Sequence, residues 1–376
     1  MKRTWLLPLA LLACGKEEQK PPAETREAKV APSDSTLAAY VPENGVDTVV
    51  SGDTTKYIFW STHIDSIKTK IQPAPVVTGP KPFGGYNVAH SELEPTYTPF
   101  TGWSDGVSNQ KWLIDALTHA RDSKIKTVLA MPCGAHNNKR LGNCLRDSSG
   151  IAVFSWKRFD STLNSFNTLA NKSAVAKAWN DGTLVGINGM DEPWVKGGGD
   201  GNTWGPNGLS RAQADTVCKK IKAVFPNVPV GLSDVSYRIW DITNYGGFRI
   251  CDFGIPQFSY RMGDATKWAD SLLATANKYG YMQMFSFNPI NGGTPDRDKT
   301  WDCKDQGGIQ GQRKPNCQMT PIQITSVVQK IGDRGCGVQL FWRWDDYRFD
   351  PANFRSAFSS AAQTQKSRTA KPCKRR

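Results

Sequence analysis

From about residue 84 the chain alternates two kinds of segment. Short, near-continuously apolar runs fall at 86–90, 126–131, 183–190, 229–232, 250–258, 281–287 and 337–342. Runs of this length predict strands buried on both faces. Between them lie longer segments with apolar residues at helical spacing, at 109–123, 155–179, 210–225, 265–279, 320–333 and 351–362. Two carry helix-start signals: Ser210 stands ahead of its apolar pattern, and Thr320-Pro321 puts proline at the first helical position. Strand–helix alternation sustained this far predicts an α/β fold with a parallel sheet, and a single (β/α)8 barrel is the closure that fits roughly 310 residues. One strand is left open. Tyr57-Ile-Phe-Trp60 either supplies the first strand or closes the bottom of the barrel. A doubly wound open sheet is the alternative, weakened because no Gly-rich phosphate turn follows an early strand.

The ends of the chain lack this pattern. Lys2 and Arg3 precede an apolar run from Trp5 to Leu12, and Leu11-Leu12-Ala13-Cys14-Gly15 matches a bacterial lipobox. Residues 1–13 therefore read as a lipoprotein signal peptide, with Cys14 as the lipidated first residue of the mature chain. Residues 14–53 are rich in Pro, Glu, Lys, Ser and Thr, the composition of a disordered tether. The barrel is assigned to 54–362, and 363–376 reads as a basic tail. These features predict a protein held in the bacterial cell envelope, at the outer membrane or cell surface, by its N-terminal lipid.

The net charge of +13 suits contact with anionic lipid or acidic polysaccharide. Nucleic acid is not expected, since no zinc-finger spacing, RNP-like run or basic–aromatic stripe is present. Setting Cys14 aside leaves eight cysteines, an even number suited to disulfides in an oxidising compartment. Proximity favours Cys133 with Cys144 and Cys303 with Cys317. Cys218 with Cys251 and Cys336 with Cys373 then remain, the last pinning the tail to the body. No C-x-x-C occurs and His is scarce, so no metal is expected, and nothing implies a cofactor. A monomer is the simplest expectation.

Candidate chemistry centres on one residue. Beyond Glu94 every acidic residue is an aspartate except Glu192, in Gly189-Met-Asp-Glu-Pro-Trp194. A carboxylate at the end of a buried strand, beside Asp191 and Trp194, has the surroundings of a general acid. The other strand ends offer His90 with Glu92, His136, Asp234, Gln257 with Tyr260, Asn288, and Trp342, Trp344, Asp345 and Asp346. In a barrel these converge on one mouth. Indole faces stack on pyranose rings while amides and carboxylates take hydroxyls, so the set predicts a poly- or oligosaccharide ligand. Glu192, Asp345 and Asp234 are the candidate catalytic groups. His136, Asp191, Trp194, Gln257, Tyr260, Asn288, Trp342, Trp344 and Asp346 are the candidate binding groups, with only one of Trp342 and Trp344 expected in the cleft. Asp252, at the start of its strand, reads as structural.

On the βα alternation, Asp191-Glu192-Pro193 and the last strand Phe341-Trp-Arg-Trp344, the chain resembles TIM-barrel glycoside hydrolases. It also resembles uncharacterised secreted bacterial lipoproteins that share the Asp-Glu-Pro strand end. The first resemblance implies that Glu192 takes the acid/base position at the end of strand four, with Asp191 where an Asn is usual. It also implies a second Glu ending strand seven, and here the chain departs: Met282-Gln-Met-Phe-Ser-Phe-Asn288 carries no carboxylate. A two-carboxylate mechanism must recruit an aspartate. The alternative is a non-catalytic barrel that binds glycan or an envelope component.

Overall fold

The computed structural model describes residues 46–51, 54–59, 79–86, 100–107, 109–133, 144–148, 151–191, 193, 209–234, 247–290, 292–293, 318–342 and 352–376. The chain divides at Ile71 into two compact units. In the first, β1 (Val46–Ser51) and β2 (Thr54–Phe59) form an antiparallel hairpin in which Val46 faces Phe59 and Ser51 faces Thr54. Tyr57 thus pairs with Thr48 and supplies no barrel strand.

The second unit is a nearly closed parallel barrel of eight strands wrapped in helices. Its strands are β3 (Phe83–Tyr86), β4 (Gly102–Gly106), β5 (Lys126–Ala130), β8 (Leu184–Asn188), β9 (Val230–Asp234) and β10 (Phe253–Phe258). An interrupted seventh strand follows, β11 (Met282–Gln283) and β12 (Ser286–Phe287), and β13 (Gln339–Trp342) completes the set. A small hairpin, β6 (Leu145–Ser148) with β7 (Ile151–Phe154), interrupts the crossover after β5. The helices are α1 (Gln110–Asp122), α2 (Trp156–Phe166), α3 (Leu169–Asn180), α4 (Arg211–Val224), α5 (Ala265–Tyr279), α6 (Pro321–Ile331) and α7 (Ala352–Lys366).

The strand that apolar patterning missed is β4, Gly-Trp-Ser-Asp-Gly, which has no apolar run at all. Its glycine explains its place. Around the sheet the order is β3–β13–β12–β10–β9–β8–β5–β4, so β3 and β4 form the closing seam. There the Thr101 N–H donates to the Phe83 carbonyl at 3.0 Å, and the Phe83 N–H donates to the Thr101 hydroxyl at 3.2 Å. A Cβ on Gly84 would fall on the Gly102 carbonyl oxygen, so the seam closes only on glycine. The first barrel strand begins at Phe83, ahead of the apolar run at 86–90, and Tyr86 is its last described residue; 87–90 lie outside the described residues.

Ser210 and Thr320 cap α4 and α6, each with a reciprocal Gln three residues on, as their patterns predict. The long helical stretch at 155–179 is broken at Asn167, where Thr168 caps a second helix. Val128, Val185, Phe253, Ile255, Met284, Val338 and Leu340 fill the barrel, while two larger apolar clusters seal it against the helices. The ring of Phe253 occupies space that a Cβ on Gly186 or Gly231 would enter, so one large side chain is matched by two absent ones.

Among the described residues, disulfides join Cys133 to Cys144, Cys218 to Cys251 and Cys336 to Cys373, in the expected pairing. Cys14, Cys303 and Cys317 lie outside the described residues. The basic C-terminal segment packs as a strap across the strand-N-terminal end of the barrel. Pro80 bridges Thr369, the Gly337 N–H donates to the Lys371 carbonyl at 2.8 Å, and the Arg376 N–H to the Gly280 carbonyl at 2.9 Å. Asp252 has the structural role expected of it: it accepts from the Val230 N–H at 2.9 Å and pairs with Lys222 at 2.9 Å.

Candidate functional site at the barrel mouth

All barrel strands run the same way, so their C-terminal ends share one mouth. Tyr86 ends the first strand and reaches across the barrel to the fourth and fifth. Its hydroxyl accepts from Asn188 Nδ2 at 2.6 Å and lies 3.0 Å from Asp191 Oδ1 and 2.9 Å from Ser233 Oγ. The Ser233 hydroxyl donates to the same Asp191 oxygen, and the Ser233 N–H donates to Asn188 Oδ1 at 2.9 Å, which fixes the amide's orientation. Asn188, Asp191, Ser233 and Tyr86 are all buried, Asp191 at 2 % exposure. With the serine proton directed at Asp191, the single phenolic proton of Tyr86 goes to Asp191 or to Ser233 Oγ. In that arrangement the Asp191 carboxylate receives one neutral hydroxyl or two.

Above the cluster lies an aromatic layer. Trp342 pairs with Tyr86 across β13 and β3, and their rings stack with centroids 5.6 Å apart and planes 25° from parallel. Trp342 is only partly buried, so the indole forms part of the mouth. Further round the rim, Asn288 Nδ2 donates to Gln257 Oε1 at 3.1 Å, joining the ends of the sixth and seventh strands. Asn288 Oδ1 also accepts from the Ile290 N–H at 3.1 Å, turning the chain out of the strand. The Tyr260 hydroxyl donates to the Gln323 carbonyl at 3.2 Å. Burial, opposed by the neighbouring Ser326 hydroxyl and the Lys330 charge, pushes this phenol above its ordinary pKa.

The structure thus brings Asp191, Gln257, Asn288 and Trp342 to one rim, as their strand-end positions predict. Tyr260 lies in the turn Tyr260–Met262 that follows β10. Asp234 is the last residue of β9, though its side chain lies outside the described set, as do His136, Glu192, Trp194, Trp344, Asp345 and Asp346. Sequence reasoning missed Tyr86, Asn188 and Ser233. Asn188 carried a usable signal, since a lone amide within a buried apolar strand requires a polar partner. Among the described residues no group of His, Cys, Asp and Glu is arranged to hold a metal ion.

No protein-family model matches the chain, and no curated protein is similar to it in sequence. Among solved structures, a GH10 xylanase of Thermobacillus composti is similar over 76 % of this chain and 97 % of its own, at 8 % identity and a TM-score of 0.42. A thermostable mutant of the xylanase Xyn10A from Cellvibrio japonicus is similar over 76 % of this chain and 98 % of its own, at 10 % identity and 0.47. A cold-adapted β-galactosidase of Rahnella sp. R3 is similar over 79 % and 58 %, at 11 % identity and 0.45. Likenesses at this level transfer no residue role.

Proposed function

We propose that the mouth binds a carbohydrate and that the protein is a glycoside hydrolase in which Glu192 is the general acid/base. The observation that carries this reading is the layered mouth, a partly exposed indole (Trp342) stacked on Tyr86 over the buried Asn188–Asp191–Ser233 cluster. An indole face offers a sugar ring its apolar surface, and rim amides offer its hydroxyls partners. Glu192 follows Asp191 directly in the chain. In the proposed reaction Glu192 protonates the glycosidic oxygen as the bond to the anomeric carbon breaks. Asp345 or Asp234 supplies the second carboxylate. A separation from Glu192 of about 6.5–9.5 Å would make it a base acting on water, with inversion, and about 5–5.5 Å would make it a nucleophile, with retention.

The test is a screen of glycans and aryl glycosides with wild type beside Glu192→Gln. Turnover by wild type that falls at least ~100-fold in the variant supports the assignment, the scale expected for losing a general acid. Turnover that is unchanged removes Glu192 from the mechanism. One observation favours a second reading, a barrel that binds glycan without cleaving it. The seventh strand leads into Asn288, whose amide is bonded to Gln257, where the hydrolase pattern needs a carboxylate. Binding by both proteins with turnover by neither would establish that reading. We further propose that a lipid on Cys14 holds the protein in the envelope. Partition into a detergent phase that Cys14→Ser fails to abolish would refute this.

A further inference from the structure

The end of the barrel opposite the mouth carries an unusual charge distribution. In a parallel barrel each surrounding helix runs from mouth to floor, so helix C-termini gather at the floor. The last turns of α1, α3, α4, α5, α6 and α7 all carry a basic residue, and the first turns of the same helices carry no acidic one. Compensation of helix dipoles alone favours acids at the first turns as much as bases at the last. The strap adds cations that belong to no helix. Lys371, Lys374 and Arg376 are exposed on it, beside exposed Lys366 at the end of α7 and Lys278 at the end of α5.

The acids at this end are fewer. Asp181 is held by Arg121 at 2.8 Å and Asp252 by Lys222 at 2.9 Å, while Asp122 and Asp333 are exposed. Lys330 is paired with Asp264 at 3.1 Å, which leaves the exposed cations of the strap and of the α5 and α7 ends in excess. The strap is also anchored against displacement by the Cys336–Cys373 disulfide and by Arg375, whose guanidinium donates to the Phe248, Cys251 and Tyr279 carbonyls. The local field registers on a neighbour: burial first, then the charges of Lys371 and Arg368, bring the Lys81 ammonium down to a pKa of about 7.

We propose that this floor is a docking surface for an anionic lipid membrane, so that the barrel stands on the bilayer with its mouth directed away. Lysines presented over a broad face suit a layer of negative headgroups. Single-stranded nucleic acid calls for stacking aromatics and sugar rings favour them, and residues 367–376 contain none. The inference is independent of the carbohydrate reading and of the lipid on Cys14.

The test uses the full chain with Cys14→Ser, so that no acyl chain is attached. Co-sedimentation is measured with phosphatidylcholine vesicles and with vesicles in which about one-third of the lipid is phosphatidylglycerol. Binding is expected only to the anionic vesicles and is lost at roughly 0.5 M salt, where the screening length is a few ångström. Lys366→Glu with Lys374→Glu should weaken it at least tenfold. The same charge change at the mouth end, Lys111→Glu with Lys157→Glu, should leave it within twofold. Equal loss in the two double variants would show that net charge alone is responsible and overturn the proposal. Failure of wild type to bind anionic vesicles, while binding heparin or DNA through the floor, would overturn it too. Should the strap variant fail to fold, Lys124→Glu with Lys278→Glu makes the same comparison from outside the strap.

Discussion

Tyr86 has one hydroxyl proton and three polar neighbours from two strands on the far side of the barrel. Tyr86→Phe keeps the ring and its stack on Trp342 but leaves the Asn188 amide and the Asp191 carboxylate each short of a buried partner. A loss of about 1–3 kcal/mol is expected from urea unfolding. A loss under ~0.5 kcal/mol would mean that the hydroxyl is dispensable to the cluster. Lys81 makes the opposite kind of case. It is buried, and its ammonium donates to the Gly335 carbonyl at 2.6 Å, with a pKa brought from 10.5 down to about 7 by burial first and then by Lys371 and Arg368. Below about pH 7 folded and unfolded chains both hold the proton, and the cost of burying the charge is fully present. Between there and 10.5 the unfolded chain binds a proton that the folded chain has released, so stability rises with pH. Across the whole window the change is about 5 kcal/mol. Lys81→Met should remove that rise, so the wild-type and variant urea midpoints should converge or cross between about pH 7 and pH 10. Parallel pH profiles would show that Lys81 stays charged throughout.

At the scale of elements, the strap and the closing seam show how differently two segments were encoded. The strap was legible as a cysteine and a run of cations, but its course was not. Its backbone pairs with 79–81, 280 and 337, contacts between segments far apart in sequence that no local pattern records. The Cys336–Cys373 bridge closes a loop of 37 residues. Replacing both cysteines by serine should cost about 2–4 kcal/mol and expose the strap to proteolysis ahead of the barrel. Calorimetry and timed digestion check this, and an unchanged melting temperature would assign the strap's stability to its hydrogen bonds alone. The seam was encoded by an absence. β4 has no apolar run because Gly102 faces Gly84 where the two strands meet, so a pattern search keyed to Val, Ile and Leu passes over it. Helix starts were read correctly because Ser210 and Thr320 act through neighbours three residues away, within the reach of sequence.

For the whole molecule, the same division separates what holds the barrel from what the mouth does. The barrel's interior is largely apolar from the Cys336–Cys373 bridge through Val338, Phe253 and Leu340, and a connected polar cluster forms at the Tyr86 layer. Strand alternation made the barrel legible and placed Asp191, Gln257, Asn288 and Trp342 on its rim. The cross-barrel bonds of Tyr86 were hidden, because they depend on which strand faces which after closure. Trp342 lies above that layer and is partly exposed, so its loss should trouble the mouth more than the fold. A bound glycan at about 100 times its dissociation constant stabilises the folded state by roughly 2.7 kcal/mol, a shift readable as an increase in Tm. Trp342→Ala should abolish that increase while lowering the ligand-free Tm by only a few degrees, whereas Glu192→Gln should keep the increase whether or not the protein cleaves. If Trp342→Ala retained the full ligand-induced shift, the sugar would not lie against the indole, and the layered mouth would no longer support a carbohydrate site. If the variant instead lost its cooperative melting, the Tyr86–Trp342 stack would belong to the framework of the barrel rather than to its binding surface.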